Sequence, residues 1–141
     1  MQELTKIVII TRSEKLTELK DAMDALHVSG MTVTQVYGCG VSRGYTEFYR
    51  DRQISINLLP KIKVEIITGH IPVRDIMLAA RKACYTGHVG DGKIFVETIQ
   101  GVMRIRTGEE GMAALIDTDG DIDLIDDMIS NRYVYNITDD V

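Results

Sequence analysis

Four short runs of β-branched and apolar residues divide the first hundred positions of the chain. They cover residues 5–12 (TKIVIITR), 31–37 (MTVTQVY), 61–68 (KIKVEIIT) and 94–99 (IFVETI). The second and third runs alternate polar with apolar side chains, as half-buried strands do, and the others are rich in β-branched residues. The pattern therefore predicts four strands.

Apolar residues at helical spacing follow the first and third of these runs. Ser13 is a suitable N-cap for the first helix, and Gly30 is expected to end it. Pro72 suits the first turn of the second helix. The apolar stripes of the two helices consist of Leu16, Leu19, Met23 and Leu26, and of Val73, Ile76, Met77, Ala80 and Ala83.

The resulting order is strand, helix, strand, long loop, strand, helix, strand. Two βαβ units in one small domain predict an α+β fold, a ferredoxin-like βαββαβ sandwich with helices on one face of an antiparallel sheet. The long connection, from Gly38 to about Asn57, is polar, carries glycines and arginines, and shows no helical stripe. Loops of this length are usually functional or mobile.

Composition narrows the classes of ligand. The chain has 45% hydrophobic and 26% charged residues and a formal net charge of −5, which argues against nucleic acid as the main partner. It shows neither a bilayer-spanning apolar segment nor a signal-peptide pattern, so we expect a cytoplasmic protein without direct membrane insertion. Cys39 and Cys84 lack metal-site spacing, so neither a disulfide framework nor a zinc site is indicated.

The composition changes at the C-terminal end, and we assign residues 1–112 to the domain and 113–141 to an acidic extension. The first three ligand positions of a calcium loop are filled by Asp117, Asp119 and Asp121. The pattern then fails, because Ile122 and Met128 stand where a glycine and a glutamate are required. An acidic, partly amphipathic segment that folds over the domain or docks on a partner is the better interpretation.

A glycine-rich loop carries the clearest chemical signal. Gly87 to Lys93 has the spacing of a Walker A motif, but Ile94 replaces the magnesium-binding hydroxyl and the loop runs from helix into strand. Glycines allow backbone N–H groups to turn toward an anion, and Lys93 adds a positive charge. The alternative is structural: a helix C-cap glycine followed by a tight turn.

Arg104 and Arg106 form a second basic cluster. In an extended segment their guanidinium groups would lie on one side and could bind phosphate oxygens in pairs. Solvated surface arginines are the alternative.

Catalysis finds little support, since the three histidines are scattered and no catalytic arrangement is recognisable. Asp91 is suited to contact a ribose, to order the loop, or to act as a base.

Several motifs in one order resemble the PII signal-transduction family of nitrogen regulators. The resemblance covers most of residues 5–110 and is carried by Gly30-Met31-Thr32-Val33-Thr34, Gly44-x-Thr46-Glu47-x-Tyr49-Arg50, Leu59-Pro60-Lys61, Thr86-Gly87 through Phe95, and Arg104 through Glu109. It implies a compact homotrimer that binds ATP or ADP in the clefts between subunits.

The resemblance also implies a role for individual positions. Lys93, Arg104 and Arg106 match phosphate-binding residues, and Thr32 and Glu65 match positions near the adenine. The backbone cradle matches Gly87, His88, Val89, Gly90, Asp91 and Gly92, and the remaining nucleotide-binding positions are Gly38 and Gly40. Lys61 matches a residue that faces the carboxylate of 2-oxoglutarate.

Residues 40–57 match the T-loop, the family's mobile arm, which docks into targets. The arm and effector contacts are expected at Arg43, Tyr49, Arg50, Arg52, Ile54 and Lys61. Ser42 replaces a glutamine that holds magnesium for 2-oxoglutarate, and Val41 replaces a phosphate-binding arginine, so 2-oxoglutarate sensing is not expected. Ile54 and Arg52 stand at the positions that are modified in the family. The chain is therefore identified as an atypical member.

The function implied is regulation. ATP or ADP, with or without Mg²⁺, would act as effector rather than as required cofactor. The target would be a transporter, such as an ABC-type importer or an ammonium channel, or an enzyme of nitrogen metabolism. Two alternatives stay open: a slow ATPase that uses the same cleft, and a structural or metal-binding trimer without nucleotide function.

Overall fold

A computed structural model of the chain describes residues 3–39, 46–49, 52–55 and 58–116. A 3₁₀ turn over Ser13–Lys15 precedes the first α-helix. In chain order the elements are β1 (Leu4–Arg12), α1 (Leu16–Ala25), β2 (Thr32–Cys39), β3 (Thr46–Tyr49), β4 (Arg52–Ser55), β5 (Leu58–Thr68), α2 (Val73–Cys84), β6 (Gly92–Ile99) and α3 (Met112–Leu115).

Four strands form one sheet in the order β2-β5-β1-β6. Every neighbouring pair is antiparallel: Val8 of β1 lies opposite Glu65 of β5 on one side and Phe95 of β6 on the other, and Thr32 of β2 lies opposite Glu65. Each βαβ unit therefore skips one strand, which is the arrangement of a ferredoxin-like sandwich. The predicted α+β fold is confirmed.

One face of the sheet carries the core. Alternate residues of β1 and β5 are buried against both helices, as the predicted periodicity requires. Burying an Ile, Leu or Met side chain contributes roughly 1.5–3 kcal/mol, so this cluster supplies much of the stability. Its fully or nearly buried members are Ile7, Ile9, Leu19, Met23, Ile62, Val64, Ile66, Ile76, Ala80 and Cys84. The helices leave the opposite face uncovered, and we call it the outer face.

The ends of α1 differ from the prediction. Ser13 lies in the 3₁₀ turn, and no side chain caps the start of either helical segment, so its assignment as N-cap was wrong. The helix ends well before Gly30. His27 takes a φ of 60°, its N–H donates to Asp24 O, and the N–H of Val28 donates to Met23 O, both at 3.0 Å. This is a Schellman motif with histidine where glycine is usual.

The connection from β2 to β5 is more regular than predicted. β3 and β4 form an antiparallel pair, with Thr46 opposite Ser55 and Tyr49 opposite Arg52. β5 also begins before Pro60, which lies opposite Tyr37 of β2. Since β1 pairs with β5 only up to Lys61, one edge of β5 is unpaired at Pro60. A strand tolerates proline at such an edge.

The C-terminal part is described as far as residue 116. Met112 of α3 is buried and packs directly against Gly69. The acidic extension lies outside the described residues from position 117 onward. Among the helices that the structure describes, none has both the length and the hydrophobicity needed to cross a bilayer.

Gly92 fixes the start of β6. Its φ is +105°, a conformation that residues with a side chain rarely adopt, and a Cβ at this position would overlap the carbonyl oxygen of Ile10. The backbones of β1 and β6 therefore approach each other here as only glycine allows.

We expect Gly92→Ala to lower the free energy of unfolding by about 2–4 kcal/mol, because backbone strain adds to the steric overlap. Urea unfolding measures the loss. Gly101→Ala is the matched control, since a Cβ there meets no atom within 4 Å, and it should change stability by less than about 0.5 kcal/mol. Equal effects of the two substitutions would contradict this account of β6.

His70 is the one buried histidine among the described residues. It follows β5, is only 7% exposed, and neither ring nitrogen has a hydrogen-bond partner in the described part of the chain. Burial lowers the pKa of His70 from its ordinary value of 6.5. The unfolded chain therefore takes up this proton at a higher pH than the folded protein does.

Above about pH 6.5 the titration of His70 should not change the free energy of unfolding. On acidification below that pH the free energy of unfolding should fall, with a slope of at most about 1.4 kcal/mol per pH unit. We expect His70→Leu to flatten the profile of unfolding free energy between pH 7 and 5. Parallel profiles for the variant and the parent would show that His70 does not contribute. The same substitution at the exposed His88 controls for the loss of an imidazole.

Candidate functional site

The glycine-rich loop between α2 and β6 is organised by the carboxylate of Asp91. This group accepts the N–H of Thr86 at 2.8 Å and that of Gly87 at 2.9 Å, and also the Thr86 hydroxyl. The bonds from Thr86, with those from Gly87 and Arg12, hold the pKa of Asp91 well below its usual range. Of the three roles open to Asp91, these contacts favour ordering the loop, and an ionised, fully engaged carboxylate is a poor base.

Helix α2 ends at Cys84, and Tyr85 already has an extended conformation. Gly87 therefore stands beyond the helix end, so the C-cap part of the structural alternative was wrong. Its φ of +85° serves the turn that wraps around Asp91.

The ends of β1 and β5 bind three successive carbonyl groups of the loop. Arg12 donates to Val89 O at 2.8 Å, Lys61 donates to Gly90 O, and Thr11 Oγ1 donates to Asp91 O at 2.8 Å. The Arg12 guanidinium also pairs with the Asp91 carboxylate, with Nε 3.2 Å from Oδ1. Two cations and a hydroxyl thus pull one side of the loop toward the sheet.

This arrangement determines where the N–H groups of the loop point. In a planar trans peptide the C=O of one residue and the N–H of the next are directed oppositely. Since the carbonyls of Val89 and Gly90 face Arg12 and Lys61, the N–H groups of Gly90 and Asp91 face away from the sheet. Within the described residues neither donates a hydrogen bond. Adjacent N–H groups of this kind form an anion-binding concavity.

Positive charge surrounds the loop. Lys93 lies on the next strand, opposite Ile10 at the start of β6. Burial first, and then the charge of Arg12, lower the pKa of Lys61. A Cβ at Gly90 would lie 3.1 Å from Arg12 Nη2 and 3.4 Å from Lys61 Nζ, so a side chain at this position would crowd both cations.

A cavity of about 360 Å³ opens beside the loop, between the end of α2 and strands β1 and β6. Lys93, Asp91 and Tyr85 contribute to its walls, together with Arg81, whose guanidinium carbon lies 5.6 Å from the centre of the Tyr85 ring. Cys84 also lines the cavity, and burial raises the pKa of its thiol. That thiol is therefore suited to packing rather than to nucleophilic chemistry.

The outer face brings some predicted residues together and separates others. Thr32 lies directly opposite Glu65, whose carboxylate pairs with Lys6 at 3.2 Å and with Lys63 at 3.3 Å. Gly38 lies under the Lys61 side chain, because a Cβ there would be 3.1 Å from Cγ. Lys61 and Glu65 are four positions apart, or about 13 Å along a strand, so one phosphate cannot contact both residues.

Arg104 and Arg106 do not lie in an extended segment, so the geometry assumed for them was wrong. Gly108, with a φ of +73°, allows a tight turn in which its N–H donates to Arg104 O at 2.8 Å. The turn follows the end of β6 that is remote from the loop, since Lys93 and Ile99 are about 20 Å apart along the strand. Arg104 contacts α3, which packs beside Leu4 at the same remote end.

The predicted contacts of the arm remain predictions. Gly40, Val41, Ser42, Arg43 and Arg50 lie outside the described residues, and the structure describes only the backbone of Tyr49, Arg52 and Ile54. Among the described residues no group of three or more His, Cys, Asp or Glu side chains comes together as a metal site would require.

Sequence reasoning assigned no role of their own to Thr11, Arg12 and Thr86. A charged residue at the end of a buried strand was the one available signal for Arg12, because strand ends often supply site residues. Its partner lies 79 positions away, and no local pattern could identify that pairing.

Known proteins share this arrangement of elements. Residues 4–109 match the family model for "Nitrogen regulatory protein P-II". The chain is 45% identical over 112 residues to nitrogen regulatory protein P-II of Mesorhizobium japonicum, covering 79% of this chain and 100% of that protein. It is 40% identical over 109 residues to nitrogen regulatory protein GlnK of Escherichia coli, covering 77% and 97%.

A solved structure agrees with these similarities. The GlnK–ATP complex of B. subtilis superposes with a TM-score of 0.67 and 34% identity, covering 80% of this chain and 98% of that one. Similarity of this extent in both sequence and structure is sufficient to assign the family. The chain belongs to the nitrogen regulatory protein P-II family, whose members are signal-transduction regulators.

Proposed function

We propose that the chain is a regulatory protein that binds ATP or ADP through the Gly87–Gly92 loop and Lys93. The observation that carries this proposal is the pair of outward N–H groups at Gly90 and Asp91, which have no acceptor among the described residues. Phosphate oxygens satisfy such donors, and the ammonium of Lys93 adds charge. The ATP complex of the B. subtilis relative supports the same ligand class.

The binding site is shared between subunits. In one chain the loop lies near Arg12, whereas Arg104 is tied to α3 beside Leu4, about 26 Å away along β1. An arginine side chain cannot span that distance. If Arg104 and Arg106 bind the same phosphates as Lys93, they come from a neighbouring copy. A homotrimer with three equivalent clefts meets this requirement, with Thr32 and Glu65 near the adenine.

Regulation fits the geometry better than hydrolysis. The carboxylate of Asp91 is ionised and is already engaged by Arg12, Thr86 and Gly87, so it is a poor base for activating water. The bound nucleotide would set the arm at residues 40–57, through Gly38, Gly40 and Lys61 at its base. The arm would then contact a transporter or an enzyme of nitrogen metabolism in the cytoplasm.

Isothermal titration with ATP and with ADP tests nucleotide binding. Lys93→Ala should weaken binding about ten- to a hundredfold, because it removes a charge-assisted phosphate contact. Lys20→Ala is the matched control, since Lys20 is an exposed lysine of α1 paired only with Asp24 among the described residues. No binding of either nucleotide at millimolar concentration to the parent protein would refute the proposed function.

Arg12 should act on the ligand through the loop. We expect Arg12→Gln to weaken ATP binding about tenfold and to speed amide exchange at residues 88–92 before any nucleotide is added, because the Val89 peptide loses its donor. Arg74→Gln on the exposed surface of α2 is the control. Weaker binding without faster exchange would mean that Arg12 contacts the nucleotide itself.

A further inference from the structure

The guanidinium of Arg104 is bound by its own chain at the C-terminal end of α3. Nη2 lies 3.5 Å from Ala113 O and 3.2 Å from Ala114 O, and it also donates to Ile116 O. Nη1 lies 3.9 Å from the Glu109 carboxylate. The Arg104 side chain is only 16% exposed, so these contacts form an enclosed site.

Other contacts hold α3 in this position. Ser29 Oγ donates to Leu115 O at 3.1 Å. Met112 is buried and packs against Gly69 at the opposite end of the short helix. Residues 112–116 are therefore fastened at both ends. They lie beyond residue 109, where the match to the family model stops.

The carbonyl groups at the end of a helix carry partial negative charge and lack partners within the helix. A guanidinium satisfies them, as it satisfies phosphate oxygens. The two hydrogens of Nη2 already face three carbonyl oxygens. A phosphate that uses Nη2 must therefore displace at least one of these carbonyls.

We propose that the end of α3 and the nucleotide phosphates are alternative ligands of Arg104. Docked α3 then lowers nucleotide affinity, and bound nucleotide releases α3. The coupling is reciprocal, because each ligand changes the affinity of the other by the same factor. This inference rests on the proposed function, in which Arg104 contacts phosphate. It makes residues 112–116 an internal competitor of the nucleotide.

Full-length variants that loosen α3 without changing Arg104 test the proposal. Met112→Ala removes the contact with Gly69, and Ser29→Ala removes the hydrogen bond to Leu115. Titration with ATP should show affinity about five- to tenfold higher for Met112→Ala and a smaller gain for Ser29→Ala. Leu78→Ala, at a half-exposed position of α2, is the control and should leave affinity unchanged.

A second measurement on the unaltered full chain does not depend on how the variants fold. Amide exchange at residues 114–116 should become faster when ATP is added, because released α3 loses its protection. If ATP binds but neither the variants nor ATP changes these quantities, the competition at Arg104 is refuted and the proposed function survives. If no protein in the series binds ATP, the proposed function itself fails.

Discussion

The candidate site depends on the hydrogen bonds from strand ends to loop carbonyls. Arg12 and Lys61 bind the carbonyls of Val89 and Gly90, and planarity of the peptide unit turns the following N–H groups outward. The strands are fixed in turn by the buried core, so the direction of two N–H groups follows from the packing of the whole sheet. The contacts that orient the loop come from the chain itself, and such preorganisation lowers the ordering cost of binding an anion.

The pattern of the sequence was sufficient for the fold. β-branched runs and helical stripes predicted the four strands of the sheet, both main helices and their order, because the core uses these periodicities directly. The errors lie at boundaries. Ser13 resembles an N-cap but takes part in a 3₁₀ turn, and His27 occupies a position where glycine would have been expected. In both places the residue type alone does not indicate the local conformation that the backbone takes.

The site was only partly predictable for a related reason. The glycines and Lys93 are contiguous, so spacing alone singled out the loop. The contacts of Thr11 and Arg12 with the loop join residues 77 to 80 positions apart in the chain, and single-sequence reasoning cannot detect such pairs. The turn at Gly108 likewise replaced an extended geometry that had seemed natural for Arg104 and Arg106. Only the three-dimensional arrangement shows that these arginines lie far from the loop of their own chain.

The antiparallel pair β2–β5 connects Lys61 to residues 40–57. β1 ends at Arg12, opposite Lys61, whereas β2 and β5 continue together to Cys39 and Leu58. Beyond Lys61 they form a two-stranded ribbon that leads into residues 40–57. Lys61 thus lies at the base of this ribbon, and its ammonium group donates a hydrogen bond to Gly90 O. A single side chain therefore joins the Gly90 peptide to the base of residues 40–57.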